Sequence, residues 1–193
     1  MSRLRAAVIG VGYLGTFHAQ KYTNISEVEL VGVCDFHKAQ AEKTAHELSV
    51  KAFSSPQELI GKVDVVTIAA TTTAHYELAK LFLSAGVHVL VEKPITATVQ
   101  QAEEIVDLAA QKKIKLAVGH IERFNPSVLE FRKNIQDLQS LELIRRGPFK
   151  ARGADVSVLH DLMIHDLDLL LWLTQSQIAD FSVRGVSFVS KTT

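Results

Sequence analysis

The stretch Ala6-Ala7-Val8-Ile9-Gly10-Val11-Gly12-Tyr13-Leu14-Gly15 decides the fold. A short apolar run ends at a glycine, and the last glycine of a Gly-x-Gly-x-x-Gly pattern lies in residues Tyr13 to Tyr22, whose spacing is helical. Glycines at this spacing occur by chance in many loops. Between a strand and a helix, however, each has a physical reason to be there. They allow the tight turn, the close approach of backbone to a pyrophosphate, and the close packing of helix on strand. The anion then rests at a helix N-terminus, where unpaired N–H groups and the macrodipole favour negative charge. Gly10, Gly12, Tyr13, Leu14 and Gly15 are therefore candidate dinucleotide-binding residues.

A second apolar run, Val28-Glu29-Leu30-Val31-Gly32-Val33, is followed by Asp35, close to the spacing of about 20 residues at which an acid is due for the ribose hydroxyls. A carboxylate there accepts from the 2′-OH of NAD and repels the 2′-phosphate of NADP, so NAD is expected over NADP. His37 and Lys38 lie close enough to soften that discrimination. The plainer alternative is that Asp35 caps the helix that follows it, read over Phe36 to Leu48.

Further out, strand-like and helix-like segments alternate. Ser55-Pro56-Gln57-Glu58 has a cap, a first-position proline and a glutamate three after the cap, which predicts a helix start. There follow a strand over Asp64 to Ala69, a helix over His75 to Ala85 stopped by Gly86 and a strand over Val87 to Val91. A helix opened by Thr98 with Gln101 and a strand over Lys115 to Val118 complete the run. Strands apolar on both faces belong to a parallel sheet covered by helices, so the expected class is α/β with a doubly wound sheet. After Gly119 the pattern changes. Asn125-Pro126 opens a helix to about Asn134, Leu141 to Arg146 alternates as a half-buried strand, Leu159 to Leu173 is a very apolar helix, and Phe181 to Val189 alternates again. The expected division is a dinucleotide-binding domain over 1–119 and the beginning of an α+β domain with antiparallel sheet over 120–193.

Composition narrows the function classes. The 21 Lys and Arg balance 21 Asp and Glu, leaving no basic field for a nucleic-acid backbone. No apolar run approaches the roughly 18 residues of a membrane span, and the N-terminus has no signal-peptide pattern, so a cytoplasmic protein is expected. The single cysteine, Cys34, gives no disulfide framework or thiolate cluster and reads as a small buried hydrophobe. No metal site is expected.

Two further constellations carry chemistry. Glu92-Lys93-Pro94 closes the strand ending at Val91, on the carboxyl edge where doubly wound sheets bind ligands. Proline biases Lys93 towards extended backbone and can hold its ammonium over the cleft; the alternative is a solvated charge beside a turn. Asp161 and His165 stand four apart on one face of an otherwise apolar helix. Imidazole titrates near neutrality, and a carboxylate one turn away suits a tuned acid or base, although a satisfied core histidine would also fit.

Together these residues resemble the Gfo/Idh/MocA oxidoreductases. The resemblance rests on Val8-Ile9-Gly10-Val11-Gly12 with Gly15 and His18, on Val33-Cys34-Asp35, and on Ala85-Gly86-Val87-His88-Val89-Leu90-Val91-Glu92-Lys93-Pro94. The Asp161-to-His165 pair with Asp166 completes it. It implies that Lys93, Asp161 and His165 form the catalytic set beside the nicotinamide, and that Ala70, Thr71, His75 and Glu92 belong to the cofactor's surroundings. Gly119 to Pro126, together with Asp155-Val156 and Asp161 to Asp166, is similar to the branch that oxidises nucleotide sugars, UDP-N-acetylglucosamine at C3 among them. That likeness implies substrate or carboxamide contacts for Arg123 and Asn125; Arg123 could instead pair with Glu122 or Glu130. Thr71 departs from the family, standing where a proline is usual. Members also carry a larger antiparallel sheet, most of it expected beyond Thr193 and expected to join copies into a homo-oligomer. A dinucleotide-sensing regulator and a ketone or imine reductase remain the rival readings, although a sensor would be expected to lose the Lys93, Asp161 and His165 set.

Overall fold

Six short apolar segments pair as one parallel sheet in the computed structural model, which describes residues 3–147 and 157–186. The strands are β1 (Leu4–Ile9), β2 (Val28–Cys34), β3 (Lys51–Phe53), β4 (Val65–Ile68), β5 (His88–Val91) and β6 (Leu116–Val118). The helices are α1 (Tyr13–Thr23), α2 (Lys38–Leu48), α3 (Thr72–Ser84), α4 (Val99–Lys112), α5 (Pro126–Asn134) and α6 (Ile164–Thr174). Strand order is β3-β2-β1-β4-β5-β6, so chain direction across the sheet reverses between β1 and β4. At such a switch point the connecting loops part and leave a crevice for a ligand. Register aligns the carboxyl ends: Ile9 pairs with Cys34 and with Ile68, and Ile68 with Val91. Gly10, Asp35, Ala69 and Glu92 consequently leave the sheet along one edge.

Period-two alternation sends neighbouring residues to opposite faces. Val8 joins Val11, Ala19, Val33 and Ala45 in one buried cluster, while Ala7 and Ile9 join Phe82, Leu83, Val89 and Ile105 in another. Helices on both faces exclude water from the sheet, which is why these strands tolerate so few polar residues. Thr67 is an exception; its hydroxyl meets that of Tyr22 at 2.7 Å.

The chain divides into two units, Met1–Gly119 and His120–Thr193. In the second, Asn125 caps α5 by accepting the Ser127 N–H at 3.0 Å, with Pro126 at the first helical position, as the sequence predicts. A π-helical turn, Leu159–Met163, runs into α6, which ends at Gln175 in the left-handed region. Leu159, Met163, Leu167 and Leu171 form an exposed apolar stripe along it.

Several expectations change. The helix start at Ser55 yields only a four-residue 3-10 turn, Pro56–Leu59. Ser55 makes no side-chain cap, and the Glu58 carboxylate instead accepts from the N–H and hydroxyl of Ser54. With its reciprocal partner one residue early and Gly61 close behind, there is no room for a second turn. The helix read from Phe36 begins at Lys38, because Asp35 holds the His37 N–H and turns the chain before it can coil. Residues 141–147 and 181–186 have no regular structure despite their alternation. An alternating pattern prepares one face for burial, but a strand also needs a neighbour for its N–H and C=O groups, and no strand pairing occurs among the described residues of this unit. Residues 187–189 of the second predicted strand, and Asp155 and Val156, lie outside the described residues.

Candidate active site

The three glycines of the first loop differ in what surrounds them. Gly10 has φ +82°, and a Cβ there would stand 2.7 Å from the Ala69 carbonyl oxygen across the switch point. A Cβ on Gly15 would lie 1.7 Å from the Gly10 carbonyl oxygen, so α1 reaches β1 only through a bare backbone. Gly12 meets nothing within 4 Å. The protein's own packing therefore explains two glycines and leaves the third opening on space, where a ligand's backbone contact would need it bare. Gly12 is also the N-cap of α1, with no side-chain cap and no acid in the first turn. An uncapped helix end with room before it is what a pyrophosphate requires, and the residues present fit a bound dinucleotide. Tyr13 (65% exposed) and Leu14 flank this opening.

The loop is held from behind. Asp35 accepts the Val11 N–H and the His37 N–H, each at 2.8 Å, while the Val11 carbonyl accepts from Thr16 Oγ1 and Gln40 Nε2. Asp35 thus holds the turn ahead of α2 rather than capping the helix, whose N-cap is His37 without a side-chain cap bond; a carboxylate has about four acceptor sites, and two hydrogen bonds reach this one among the described residues. Holding this turn leaves acceptor capacity for a ribose. Cys34, just before it, is a free buried thiol; burial first, then the charges of Asp35 and Glu58, push it up to about 11.

Along the same edge, Glu92 accepts from His18 at 2.8 Å and lies against bare Gly119, where a Cβ would approach its carboxylate to 2.7 Å. Burial by itself would raise the Glu92 carboxyl, but the His18 hydrogen bond and charge, with the Lys93 N–H and charge, outweigh it and leave the group below its ordinary value. An ionised Glu92 thus ties α1 to the residue before Lys93, which is itself half-buried. His75 is only 1% exposed; its ring nitrogens face the Pro94 and Ala70 carbonyl oxygens at 2.9 and 3.1 Å. Its ring thus meets the backbone of the two loops that follow β4 and β5. Thr71 is the N-cap of α3 without a side-chain cap bond, its hydroxyl meeting that of Thr73 at 3.3 Å.

In the second unit, Asp161 lies in the π-helical turn and His165 one residue into α6, both half-buried. A π turn takes more residues per revolution than the α-helix and recurs at functional sites. Arg123 forms a bidentate pair with Asp168 (2.8 and 2.5 Å), whose side chain is buried, rather than with Glu122 or Glu130. Asn125 spends its amide on the α5 cap and on Glu122. Arg145 holds Asp166 at 2.9–3.0 Å, anchoring the residue after His165. Asp168 and Arg145 were not singled out by sequence reasoning. Asp168 had a usable signal, since an acid inside Leu167-Asp168-Leu169-Leu170-Leu171 needs a cationic partner once buried. Among the described residues no group of three or more His, Cys, Asp or Glu side chains is placed to hold a metal, and no helix is long and apolar enough to cross a membrane.

Residues 4–120 match the family model described as an oxidoreductase family with an NAD-binding Rossmann fold, Gfo/Idh/MocA. The UDP-N-acetylglucosamine 3-dehydrogenase of Acidithiobacillus ferrooxidans is 42% identical over 191 residues, 98% of this chain and 60% of that protein. Its solved structure superposes with a TM-score of 0.93 at 41% identity, covering 98% of this chain and 62% of that one. Myo-inositol dehydrogenase Hyg17 of Streptomyces leeuwenhoekii is 31% identical over 195 residues, 95% of this chain and 60% of that protein. The chain thus spans about 60% of the length of these curated relatives.

Proposed function

The chain belongs to the Gfo/Idh/MocA oxidoreductase family, whose Rossmann fold binds NAD, and from that premise we propose that it serves a dehydrogenase oxidising a secondary alcohol of a nucleotide sugar, C3 of UDP-N-acetylglucosamine first among them. The observation that carries this reading is the reach of the likeness: the aligned span, 42% identical overall, covers 98% of the chain and so includes the positions of Lys93, Asp161 and His165. Bound NAD supplies the hydride acceptor. His165 takes the hydroxyl proton as the carbon gives up its hydride, and Lys93 donates a hydrogen bond to the same oxygen while it becomes a carbonyl. Asp161 orients the imidazole. Positioned proton transfer of this kind contributes about 10²–10⁴-fold, and the ammonium stabilises the charge that develops on oxygen. Asp35 selects NAD over NADP by accepting ribose hydroxyls, and Arg123 and Asn125 border the substrate.

The reading places the reaction in the cytoplasm, in keeping with a lone reduced cysteine, and places the contact between copies on the second domain's sheet in the full-length protein, which light scattering will check. The decisive experiment gives the full-length protein NAD and UDP-N-acetylglucosamine deuterated at C3. Transfer of the label to the nicotinamide, with a 3-keto sugar formed, is the expected result. Label retained on the sugar while myo-inositol or another polyol is oxidised would overturn the substrate assignment.

A further inference from the structure

His75, in the first turn of α3, is among the largest fully buried side chains of the first unit, and its ring faces an oxygen at each nitrogen. Nδ1 is 2.9 Å from the Pro94 carbonyl oxygen and Nε2 is 3.1 Å from that of Ala70. Both acceptors are backbone groups in separate loops. One follows β4; the other is the turn that carries Lys93. Each ring nitrogen is thus within hydrogen-bond distance of one carbonyl oxygen, and the tautomer decides which of them donates. The stretch from Ala69 to Ala74, a loop that enters α3 at Thr72, has no proline to fix its backbone, and the Thr71 hydroxyl turns to Thr73 instead of capping α3. On the other flank of Lys93, Glu92 is already held by His18. The Pro94 side has His75.

We propose that His75 is a positioning residue, a two-sided clamp that fixes the loop after β4 and the Lys93–Pro94 turn with respect to each other and so sets where the Lys93 side chain begins. The ring reaches neither substrate nor cofactor, since it is buried behind the loops it joins. Its effect on turnover rests on the reading of Lys93 proposed above, while its effect on the two loops does not. The two arms can be separated chemically. In His75→Asn the side-chain amide nitrogen stands near the place of Nδ1 and can serve the Pro94 carbonyl; in His75→Gln it stands near the place of Nε2 and can serve the Ala70 carbonyl. His75→Phe keeps a buried ring and serves neither.

Hydrogen exchange by mass spectrometry on the full-length protein tests the clamp without reference to activity. In His75→Phe, exchange is expected to rise about tenfold or more over residues 69–74 and 92–96 together, with β1 and β2 unchanged. The Asn variant should keep 92–96 protected and loosen 69–74, and the Gln variant should do the reverse. Turnover should fall about tenfold or more in His75→Phe, with the KM for the alcohol within a few-fold, and the Asn variant should recover most of it. If 92–96 stays as protected as in wild type in both the Phe and Gln variants, the clamp is refuted. The expected exchange pattern in a protein that oxidises no alcohol would uphold the clamp and remove the dehydrogenase reading instead.

Discussion

Gly12 and Gly15 are three positions apart, and a methyl group on each has opposite consequences. At Gly15 the new Cβ meets the Gly10 carbonyl oxygen at 1.7 Å, and a backbone oxygen cannot rotate away. Gly15→Ala should therefore destabilise the fold by about 3 kcal/mol, the upper end of overpacking costs. At Gly12 the Cβ meets no protein atom, and φ −68° is open to any residue. Gly12→Ala should leave urea stability within about 0.5 kcal/mol yet weaken NADH binding about tenfold or more in a fluorescence titration, because the methyl fills the approach to the pyrophosphate. A Gly12→Ala protein with wild-type NADH affinity would show that the opening has another use. Cys34 offers a second check at this scale. Buried, with its thiol pushed up to about 11, it should ignore a thiol-specific disulfide reagent at neutral pH until the chain is unfolded in urea. Asp35 could be read from spacing, and so could the strand-end position of Lys93. The partners of Asp35 and Arg123 could not, because Val11 and Asp168 are brought in by the fold from 24 and 45 residues away.

Among the elements, those with both a periodic pattern and a local stop signal were legible from the sequence. α4 has Thr98 accepting the Gln101 N–H at its start, and it buries Ile105 and Ala109, four apart, in the core cluster that includes Phe82 and Leu83 of α3. Ile105→Ala should cost about 2–5 kcal/mol by loss of transfer energy and the cavity left behind. Val106→Ala, at a site 50% exposed, should change stability by less than about 0.5 kcal/mol. Urea midpoints of the pair measure how much of α4 is held by its buried face; equal losses would contradict the assigned register. β3, at three residues, is too short to show a period and took shape only through pairing with β2. The segment over 141–146 shows the converse, a pattern without a strand partner among the described residues. Local signals specify faces and ends, and pairing supplies the rest.

For the molecule as a whole, the charged groups of the first unit make its stability depend on acid. Glu92 lies below the ordinary 4.5 in the folded protein, where the pull of His18 and Lys93 outweighs burial. A depressed carboxyl contributes stability in full above its unfolded value, and the contribution disappears as pH falls from 4.5 through the folded value. Asp64, held chiefly by the Arg5 hydrogen bond, drops from 3.8 to about 2 and acts in a still more acidic window; at 37% exposure its share is reduced by solvent. Urea midpoints should therefore decline below pH 4.5, and Glu92→Gln should flatten the first part of that decline. An unchanged slope in Glu92→Gln would mean that the His18 pair contributes nothing. The proposed chemistry is assigned to three side chains, Lys93, Asp161 and His165. The most direct test of that claim is the rate of absorbance increase at 340 nm, with NAD and UDP-N-acetylglucosamine, in the full-length wild type and in Lys93→Met and His165→Asn. The account predicts losses of about 10²-fold or more in both variants with NADH affinity intact; turnover within a few-fold of wild type in either would contradict it.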